Sequence, residues 1–438
     1  MANNRIISGL GVSAEALGTL MVQGERVNPA VLVWARKSAG LDLKDAAHRI
    51  GLTASEGASS EGKLLELEGG KRLPSRAQLN RIAKTYRRPL VAFYMAAPPP
   101  KGDRGHDFRS TGNAVSSRED ALLDALLRDV KARQEMLKSL LEDEDEAAVK
   151  SFVGSCSLSN DVGRVAERIG NALKLPADGS GRGGGPDELF KKLRSQAEAL
   201  GVFVLLVGDL GSHHSALSEE VFRGFALADD RVPFIVINDH DARTARSFTL
   251  VHELAHIFLG QSGVSGTPES VKDSTQIGRI EQFCNDVAGL VLLPKIFAQQ
   301  RPASLGNDDK AKTMQFIEET AKKWSVSEPL VAHRLRRLGW ISAKLYQDLN
   351  IGFAERWQAQ KANAKAANQM KDGGPNYYVI RQHRLGDALM DVVRRTVREN
   401  RLTHTKAAKI LGVNPGSVEP LIRNFEKSAA SLTFGAAR

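Results

Sequence analysis

Apolar residues recur at helical spacing over most of the chain, and one region in its middle differs by having continuous apolar runs. Three such runs, Val202–Val207, Val221–Leu227 and Pro233–Asn238, each predict a buried β-strand. Asp229 and Asp230 fit a turn between the last two strands. The pattern therefore predicts a small sheet with helices before and after it, which is an α+β fold.

The segment Phe248–Phe258 follows the sheet and contains His-Glu-x-x-His within an apolar run. No Gly or Pro interrupts it before Gly260, so it predicts a helix, and its apolar flanks predict that the helix is buried. His252 and His256 are about one turn apart, so both imidazoles can reach one metal ion. Glu253 lies about 100° around the helix, where it can reach a metal-bound water without being a ligand.

A bound metal is one of two interpretations of this motif, the other being a chance pattern on a solvated helix face. Burial of three ionisable groups without partners is costly, which favours the metal. Zinc fits two imidazole nitrogens, one further protein ligand and an open position for water. The metal lowers the pKa of that water and the glutamate removes its proton, which is zinc peptidase chemistry.

The third ligand is expected on a second helix, Ile280–Leu293, which ends before Pro294. Glu281 is the best candidate, since it would complete a set of two His and one Glu around zinc. Asn285 lies one turn further on, where it can accept a hydrogen bond from the far ring nitrogen of a ligand histidine. Cys284 is interpreted as a core residue rather than as a ligand or a nucleophile.

Residues 1–28 are interpreted as a tail, and residues 29–100 predict a domain of short helices in a helix-turn-helix arrangement. Ala35-Arg36, Glu68-Gly69 with Pro74, and Leu79 with Ile82-Ala83 make this domain resemble the xenobiotic-response-element family of DNA-binding domains. The expected recognition helix near 61–68 nevertheless carries three Glu against one Lys, which is unfavourable beside phosphates. DNA binding and a docking or sensing role both stay open.

Residues 101–200 are interpreted as a linker and helical region that starts after Ala96–Pro100. The sequence predicts an amphipathic helix over 118–141 and a solvated helix junction at the acidic run 142–146. Residues 179–184 match G-x-G-x-x-G, but a helix end rather than a strand precedes them. We therefore interpret this glycine-rich stretch as a flexible loop and not as a nucleotide site.

Residues 301–370 predict a helical extension that covers the core, and residues 371–438 predict a basic helical domain similar to a helix-turn-helix. Tyr377–Ile380 predicts a short strand or anchor. The last 68 residues carry 12 Lys or Arg against six Asp or Glu, which favours DNA contact. Pro420 is expected to interrupt the would-be recognition helix, so a helical cap or a partner-docking domain stays equally open.

Composition narrows the class of protein further. The 438 residues carry a formal charge of +10, which favours nucleic acid or acidic partners. Two cysteines, Cys156 and Cys284, indicate a reducing compartment without a disulfide framework. No apolar run is long enough for a transmembrane helix and the amino terminus lacks the apolar region of a signal peptide, so we expect a cytoplasmic protein.

Residues 201–300 resemble the ImmA/IrrE family of zinc metallopeptidases. The resemblance lies in Phe222-Arg223-Gly224, in Ile235–Asn238, in the His-Glu-x-x-His helix, and in Glu281-x-x-Cys284-Asn285 with the later Leu293-Pro294. It implies a zincin-like core of a small sheet and the motif helix, between helical amino- and carboxy-terminal domains. It also implies that His252, His256 and Glu281 bind Zn²⁺ and that Glu253 is the catalytic base.

The resemblance further implies an endopeptidase that cleaves a regulatory protein, typically a helix-turn-helix repressor of stress, phage or mobile-element genes. In such peptidases an edge strand pairs with the extended substrate, and we expect Val221–Leu227 to be that edge. His214, His240 and Arg223 are weak candidates for the group that stabilises the oxyanion. The alternative is a DNA-binding regulator or antitoxin-like module, with DNA held through 29–100 or 371–438 and a structural zinc site.

Overall fold

The computed structural model describes residues 26–55, 57–99, 106–107, 116–176, 178, 184–211, 215–265, 275–299, 301–302, 305, 309–369 and 376–435. The chain forms two compact units. The first is drawn from residues 1–104, 112–135 and 209–217, and the second from 105–111, 136–208 and 218–438. The expected tail before residue 26, the glycine-rich stretch up to residue 183 and His214 lie outside the described residues.

Between residues 26 and 99, the described part of the first unit forms four short helices, each begun by a polar capping side chain. Ser75 and Gln78 form a full capping box at the fourth helix. These helices and a 3₁₀ turn at Leu90–Tyr94 enclose an apolar core that includes Ile82, Tyr86 and Phe93. The helices are α1 (Pro29–Ser38), α2 (Leu43–Ile50), α3 (Ser60–Glu68) and α4 (Arg76–Tyr86).

Glu68 accounts for part of the acidic character of α3. It is buried and its Oε1 accepts a hydrogen bond from Nε of Arg36 at 2.7 Å, with a second bond from Nη2 of Arg36 to Oε2 at 2.9 Å. This carboxylate therefore joins α3 to α1 and is not presented to solvent. Of the three glutamates in the expected recognition helix, Glu61 and Glu66 remain accessible to solvent.

The second unit contains a mixed sheet with the strand order β1-β5-β3-β4-β2. β3 is antiparallel to both of its neighbours, whereas β1 runs parallel to β5 and β2 parallel to β4. The central position of β3 makes the expectation that Val221–Leu227 forms an edge wrong. The strands are β1 (His106–Asp107), β2 (Phe203–Leu206), β3 (Gly224–Leu227), β4 (Phe234–Ile237) and β5 (Gly263–Ser265).

Helices cover the sheet, and every residue of β2, β3 and β4 is buried. This burial explains the unbroken apolar runs of these strands. One core joins the sheet to the surrounding helices, with Leu254, Phe258 and Val287 among its buried members. The helices up to residue 337 are α5 (Ser117–Asp143), α6 (Val162–Ala172), α7 (Pro186–Ala199), α8 (Arg243–Phe258), α9 (Gln276–Leu292), α10 (Lys295–Ala298), α11 (Lys310–Trp324) and α12 (Glu328–Arg337).

The remaining helices correct two expectations. Residues 377–380 form the start of a helix and not a strand, and Pro420 lies in the first turn of the last helix, where its missing N–H breaks no helical hydrogen bond. These helices are α13 (Ala343–Gln369), α14 (Tyr377–Leu385), α15 (Asp387–Arg398), α16 (His404–Leu411) and α17 (Val418–Gly435), with a 3₁₀ turn at Pro415–Ser417.

The acidic run after α5 is not simply a solvated junction, contrary to the expectation. Glu146 forms a bidentate ion pair with Arg395, and Glu144 pairs with Arg401. Part of the positive charge of the carboxy-terminal helices is therefore neutralised within the chain.

Among the described residues no helix combines the length and the apolar character that crossing a bilayer requires. The fold is thus α+β, mostly helical with a small sheet, and is consistent with a zincin-like core.

Candidate metal centre

Helix α8 presents the two motif histidines to the interior of the second unit. It packs against β3 and β4 on one side and against α7 and α9 on the others, so the part from Thr249 to Phe258 is buried. His252 is 4% exposed and His256 is fully buried. Their Nε2 atoms lie 3.1 Å apart, because residues separated by four positions share a helix face.

Helix α9 brings Glu281 to the same point. Its Oε2 lies 3.3 Å from Nε2 of His252, and its Oε1 lies 2.9 Å from Nε2 of His256. A tetrahedral ion with bonds of about 2.0–2.1 Å places its ligand atoms about 3.3 Å from each other. The separation of the two imidazole nitrogens is close to that value, and a different oxygen of the Glu281 carboxylate approaches each of them. The donor set therefore fits a small tetrahedral cation such as zinc, with one coordination position left open.

The charges of this cluster are strongly coupled. Burial works to raise the pKa of Glu281, but His252 and His256 outweigh it and lower that pKa to about 2. Burial works to lower the pKa of His252, but the Glu281 carboxylate outweighs it and raises that pKa. An anionic carboxylate between two imidazoles is the arrangement that a dication would stabilise. Among the described residues, these three form the one group of His, Cys, Asp or Glu side chains whose ligand atoms lie close enough together to bind a metal ion.

Glu253 lies against the sheet, next to Gly224 of β3. It is fully buried, and neither of its carboxylate oxygens makes a hydrogen bond in the described structure. Burial raises its pKa to about 8, while His252 and the nearby Ser265 hydroxyl work to lower it. Glu253 is therefore a carboxyl group held beside the donor set without a structural partner.

Ser265 is a site residue that the sequence reasoning did not single out, and Gly224 was named there only as part of the family resemblance, without a role in the site. They are paired across β3 and β5, and both lie next to Glu253. A Cβ atom on Gly224 would be 2.7 Å from Cγ2 of Thr249 and 2.8 Å from Oε1 of Glu253. Glycine within an apolar strand is a sequence signal for such a close approach. No comparable signal marks Ser265.

Asn285 and Cys284 both lie on α9 and are both buried. Asn285 is close enough to His252 to contribute to its raised pKa, but Oδ1 of Asn285 and Nδ1 of His252 have no hydrogen-bond partner in the described structure. The expected hydrogen bond between them stays a prediction. Cys284 packs in the apolar core, and burial raises the pKa of its thiol well above its usual value. Its sulfur is outside the donor set.

Two of the weak candidates for an oxyanion-stabilising group, Arg223 and His240, lie beside acidic side chains. Nε of Arg223 lies 3.9 Å from Oδ2 of Asp241, a buried carboxyl whose pKa is raised by that burial. Nε2 of His240 lies 3.8 Å from Oδ1 of Asp239. His214 lies outside the described residues.

Comparisons with known proteins address the region that carries this site. No curated protein and no solved structure matches the chain. Residues 199–336 match the Peptidase_M78 family model, which is described as the IrrE N-terminal-like domain. The matched region contains the donor set and Glu253, and it covers the sheet from β2 to β5. This match supports a metallopeptidase-type function and supports the resemblance of residues 199–336 to the ImmA/IrrE family.

Proposed function

We propose that the protein is a zinc-dependent endopeptidase of the glutamate-zincin type. The observation that carries the proposal is Glu253, a buried carboxyl group without a hydrogen-bond partner beside three metal donors. A structural zinc site is closed by four protein ligands and does not need a further carboxyl group beside the ion. A catalytic site with an open position needs a base at this place.

His252, His256 and Glu281 would hold the ion. Zinc, when bound, would polarise the scissile carbonyl and lower the pKa of a water molecule. Glu253 would accept the proton of the attacking water at a carboxylate oxygen and deliver it to the leaving amine. A cation beside Glu253 would favour its ionised form and so offset the effect of burial on its pKa.

The sheet suggests where an extended peptide would bind. β3 has partners on both sides, and on the outer side of β2 the Val204 carbonyl already accepts a hydrogen bond from Nη2 of Arg194 at 2.5 Å. The opposite side of the sheet ends in β5, which carries Ser265, and in the two-residue strand β1. β1 pairs with Gly263 and Val264 of β5, and its described residues do not extend to Ser265. We therefore expect the substrate backbone to add on that side of β5 at Ser265, next to Glu253.

The substrate class is proposed from the family resemblance. A regulatory protein, and specifically a helix-turn-helix repressor of stress, phage or mobile-element genes, is the expected partner. Cleavage in the cytoplasm would then relieve repression. The two helical ends, 29–100 and 371–438, would recognise DNA or the substrate and so decide when the peptidase acts.

A DNA-binding regulator with a structural zinc site is the competing function. Its support was the basic carboxy-terminal segment, yet Arg395, Arg398 and Arg401 are all engaged by carboxylates of the chain. Surface arginines paired in this way are less available to phosphates. The ion pairs of this segment therefore favour a helical cap on the second unit over a DNA reader.

The test compares wild type, Glu253→Gln and His256→Ala in metal content and in cleavage of small helix-turn-helix repressors from the same genome. We expect one zinc per chain in wild type and in Glu253→Gln, and a large loss of zinc in His256→Ala. Cleavage by Glu253→Gln should fall by at least about 10²-fold, because general-base catalysis contributes that much or more. Undiminished cleavage by Glu253→Gln, or zinc-free wild type, would overturn the proposal.

A further inference from the structure

Ser265, the last residue of β5, is a buried polar residue directly opposite Gly224. It is 3% exposed, and it pairs with Gly224 across β3 and β5. Residues that lie directly opposite each other in an antiparallel pair extend their side chains to the same face of the sheet. The Ser265 side chain therefore extends to the face on which a Cβ atom on Gly224 would lie.

The carboxyl group of Glu253 occupies that face. A Cβ atom on Gly224 would lie 2.8 Å from Oε1 and 3.0 Å from Cγ of Glu253. Because Gly224 has no side chain, Glu253 takes the place beside Ser265 that a cross-strand neighbour would otherwise fill. Burial raises the pKa of Glu253, and the Ser265 hydroxyl is among the groups that work to lower it. The Ser265 side chain and the sheet-facing oxygen Oε1 of Glu253 are therefore neighbours.

Both of these neighbouring groups are without a hydrogen bond in the described structure. Oγ of Ser265 and the two carboxylate oxygens of Glu253 are buried and have no partner. A buried hydroxyl without a partner costs free energy, and an ionised carboxylate can only accept. The Ser265 carbonyl already accepts a hydrogen bond from the N–H of Arg223 at 3.2 Å. Rotation about the Cα–Cβ bond of Ser265 can therefore turn the donor towards the acceptor without a change in the main chain.

Thr249 also carries a hydroxyl close to Gly224, but this hydroxyl has another partner. Its Oγ1 donates a hydrogen bond to the Ala245 carbonyl one turn earlier in α8, at 3.3 Å. Its methyl carbon Cγ2 faces the sheet, 2.7 Å from the position of a Cβ atom on Gly224. Thr249 thus packs on the strand with its methyl group, and Ser265 supplies the hydroxyl that has no partner next to Glu253.

We propose that Ser265 is a positioning residue for the peptidase reaction, in which its hydroxyl donates a hydrogen bond to Oε1 of the Glu253 carboxylate. This inference rests on the proposed function, in which Glu253 is the base. The hydrogen bond keeps Oε2 directed towards the attacking water. The proton of that water goes to Oε2 and from there to the leaving amine, while the serine hydroxyl keeps its own proton throughout. Hydrogen bonds to an ionised group are stronger than neutral ones, so this donor holds one orientation of the carboxylate.

A positioning role has a kinetic signature that distinguishes it from substrate binding. Loss of the hydrogen bond misaligns the base without removing a contact of the substrate, so kcat falls while KM is nearly unchanged. Ser265 also lies where we expect the substrate backbone to add. If its hydroxyl contributed to substrate binding alone, KM would rise and kcat would be unchanged.

The test uses the full-length, zinc-loaded chain and compares Ser265→Ala with the matched control Ser247→Ala. Ser247 is also buried, and its Oγ also has no partner in the described structure. It precedes Glu253 by six residues in α8 and so lies on another face of that helix. Each substitution deletes one oxygen atom that has no hydrogen bond. We therefore expect both variants to match wild type in urea denaturation and in zinc affinity.

Steady-state cleavage of small helix-turn-helix repressors from the same genome gives kcat and KM. We expect Ser265→Ala to lower kcat by about tenfold or more, which corresponds to the loss of one hydrogen bond to a charged group. Its KM should change by less than about twofold. Ser247→Ala should match wild type in both constants. Cleavage by Ser265→Ala as fast as by Ser247→Ala, or a rise in KM at unchanged kcat, would overturn the proposal.

Infrared spectroscopy tests the hydrogen bond without a cleavage assay. The carboxylate stretching band of Glu253 is the one that disappears in Glu253→Gln. We expect this band to shift in Ser265→Ala and to keep its position in Ser247→Ala. An unshifted band in Ser265→Ala would refute the positioning role, even if kcat falls. If no repressor is cleaved, the peptidase function fails, whereas a shifted band still supports the hydrogen bond between Ser265 and Glu253.

Discussion

Gly224 and Glu253 approach each other so closely that a Cβ atom on Gly224 would lie 2.8 Å from Oε1 and 3.0 Å from Cγ of Glu253. The central strand of the sheet thus fixes the position of the carboxyl group beside the metal donors. Gly224→Ala should displace Glu253 or Thr249 and cost about 1–3 kcal/mol of stability through overpacking. We expect peptidase activity to fall by at least about tenfold while zinc content is unchanged.

Gly289→Ala is the matched control for this prediction. Gly289 is also buried, but no atom lies within 4 Å of an added Cβ, and its position within α9 favours alanine. We expect full activity and equal or slightly higher stability, measured by urea denaturation. If Gly224→Ala cleaves substrate as fast as Gly289→Ala does, the sheet does not position the base.

Asn285 provides a second test of the site, through metal affinity. Its side chain lies beside His252, and a partner for the non-ligating ring nitrogen fixes the orientation of a ligand histidine. We expect Asn285→Ala to weaken zinc binding by about 10–100-fold in competition with a chromophoric chelator. Gln282→Ala removes an amide from the same helix, outside the donor set, and should bind zinc like wild type. Equal zinc affinities in the two variants would indicate that Asn285 contributes to packing and not to the orientation of His252.

The donor set could be predicted from the sequence because its geometry is local to two helices. Four residues separate His252 from His256, and a helix places such residues on one face whatever surrounds it. Glu281 followed from the apolar helix around it and from the need for a third ligand. The bounds of both helices were also predicted to within a few residues, since apolar spacing and Pro294 mark them.

Strand order and ion pairing could not be predicted, because they depend on partners distant in sequence. Nothing local to Val221–Leu227 indicates that β5, some 40 residues later, covers its outer side. The acidic run at 142–146 looked solvated because its partners Arg395 and Arg401 lie about 250 residues away. The role of Gly224 likewise depends on Glu253, which approaches it only after the helix has packed on the sheet.

The turn between β3 and β4 gives a prediction for pH dependence. Oδ1 of Asp229 accepts hydrogen bonds from the backbone N–H groups of Arg231 and Val232, each at 2.9 Å, and Oδ2 accepts one from Nζ of Lys138 at 2.7 Å. Burial works to raise the pKa of Asp229, but Lys138 and the two N–H groups outweigh it and hold the pKa below its usual 3.8. The ionised carboxylate therefore stabilises the fold above pH 3.8, and this contribution is lost as pH falls through the lowered pKa.

Asp229→Asn should accordingly be less stable than wild type by about 1–2 kcal/mol at pH 7, and this difference should shrink as the pH falls below 4. Urea denaturation of both proteins at steps between pH 7 and pH 2.5 measures it. Asp230→Asn makes the same change at the exposed neighbouring position and should differ little from wild type throughout. A stability difference for Asp229→Asn that is constant with pH would contradict the assigned role of its charge.

Glu198 joins the carboxy-terminal helices to the core of the second unit. Its Oε2 accepts hydrogen bonds from the backbone N–H groups of Asp387 at 3.1 Å and Ala388 at 3.2 Å, so it caps α15 from 189 residues away. Its Oε1 accepts a hydrogen bond from Nε of Arg194 at 3.0 Å, and both side chains are buried. Nη1 of Arg194 in turn donates to the His383 carbonyl in α14.

Glu198→Ala would remove this cap and leave Arg194 buried without its counter-charge, which is the costly way to break a buried ion pair. We expect a loss of about 3 kcal/mol in urea denaturation and faster hydrogen exchange over Asp387–Arg398. Glu188→Ala changes an exposed glutamate of the same helix and should alter stability by less than about 1 kcal/mol, with no change in exchange over α15. If Glu198→Ala matched that control in both measurements, the carboxy-terminal helices would be held to the core by apolar packing alone.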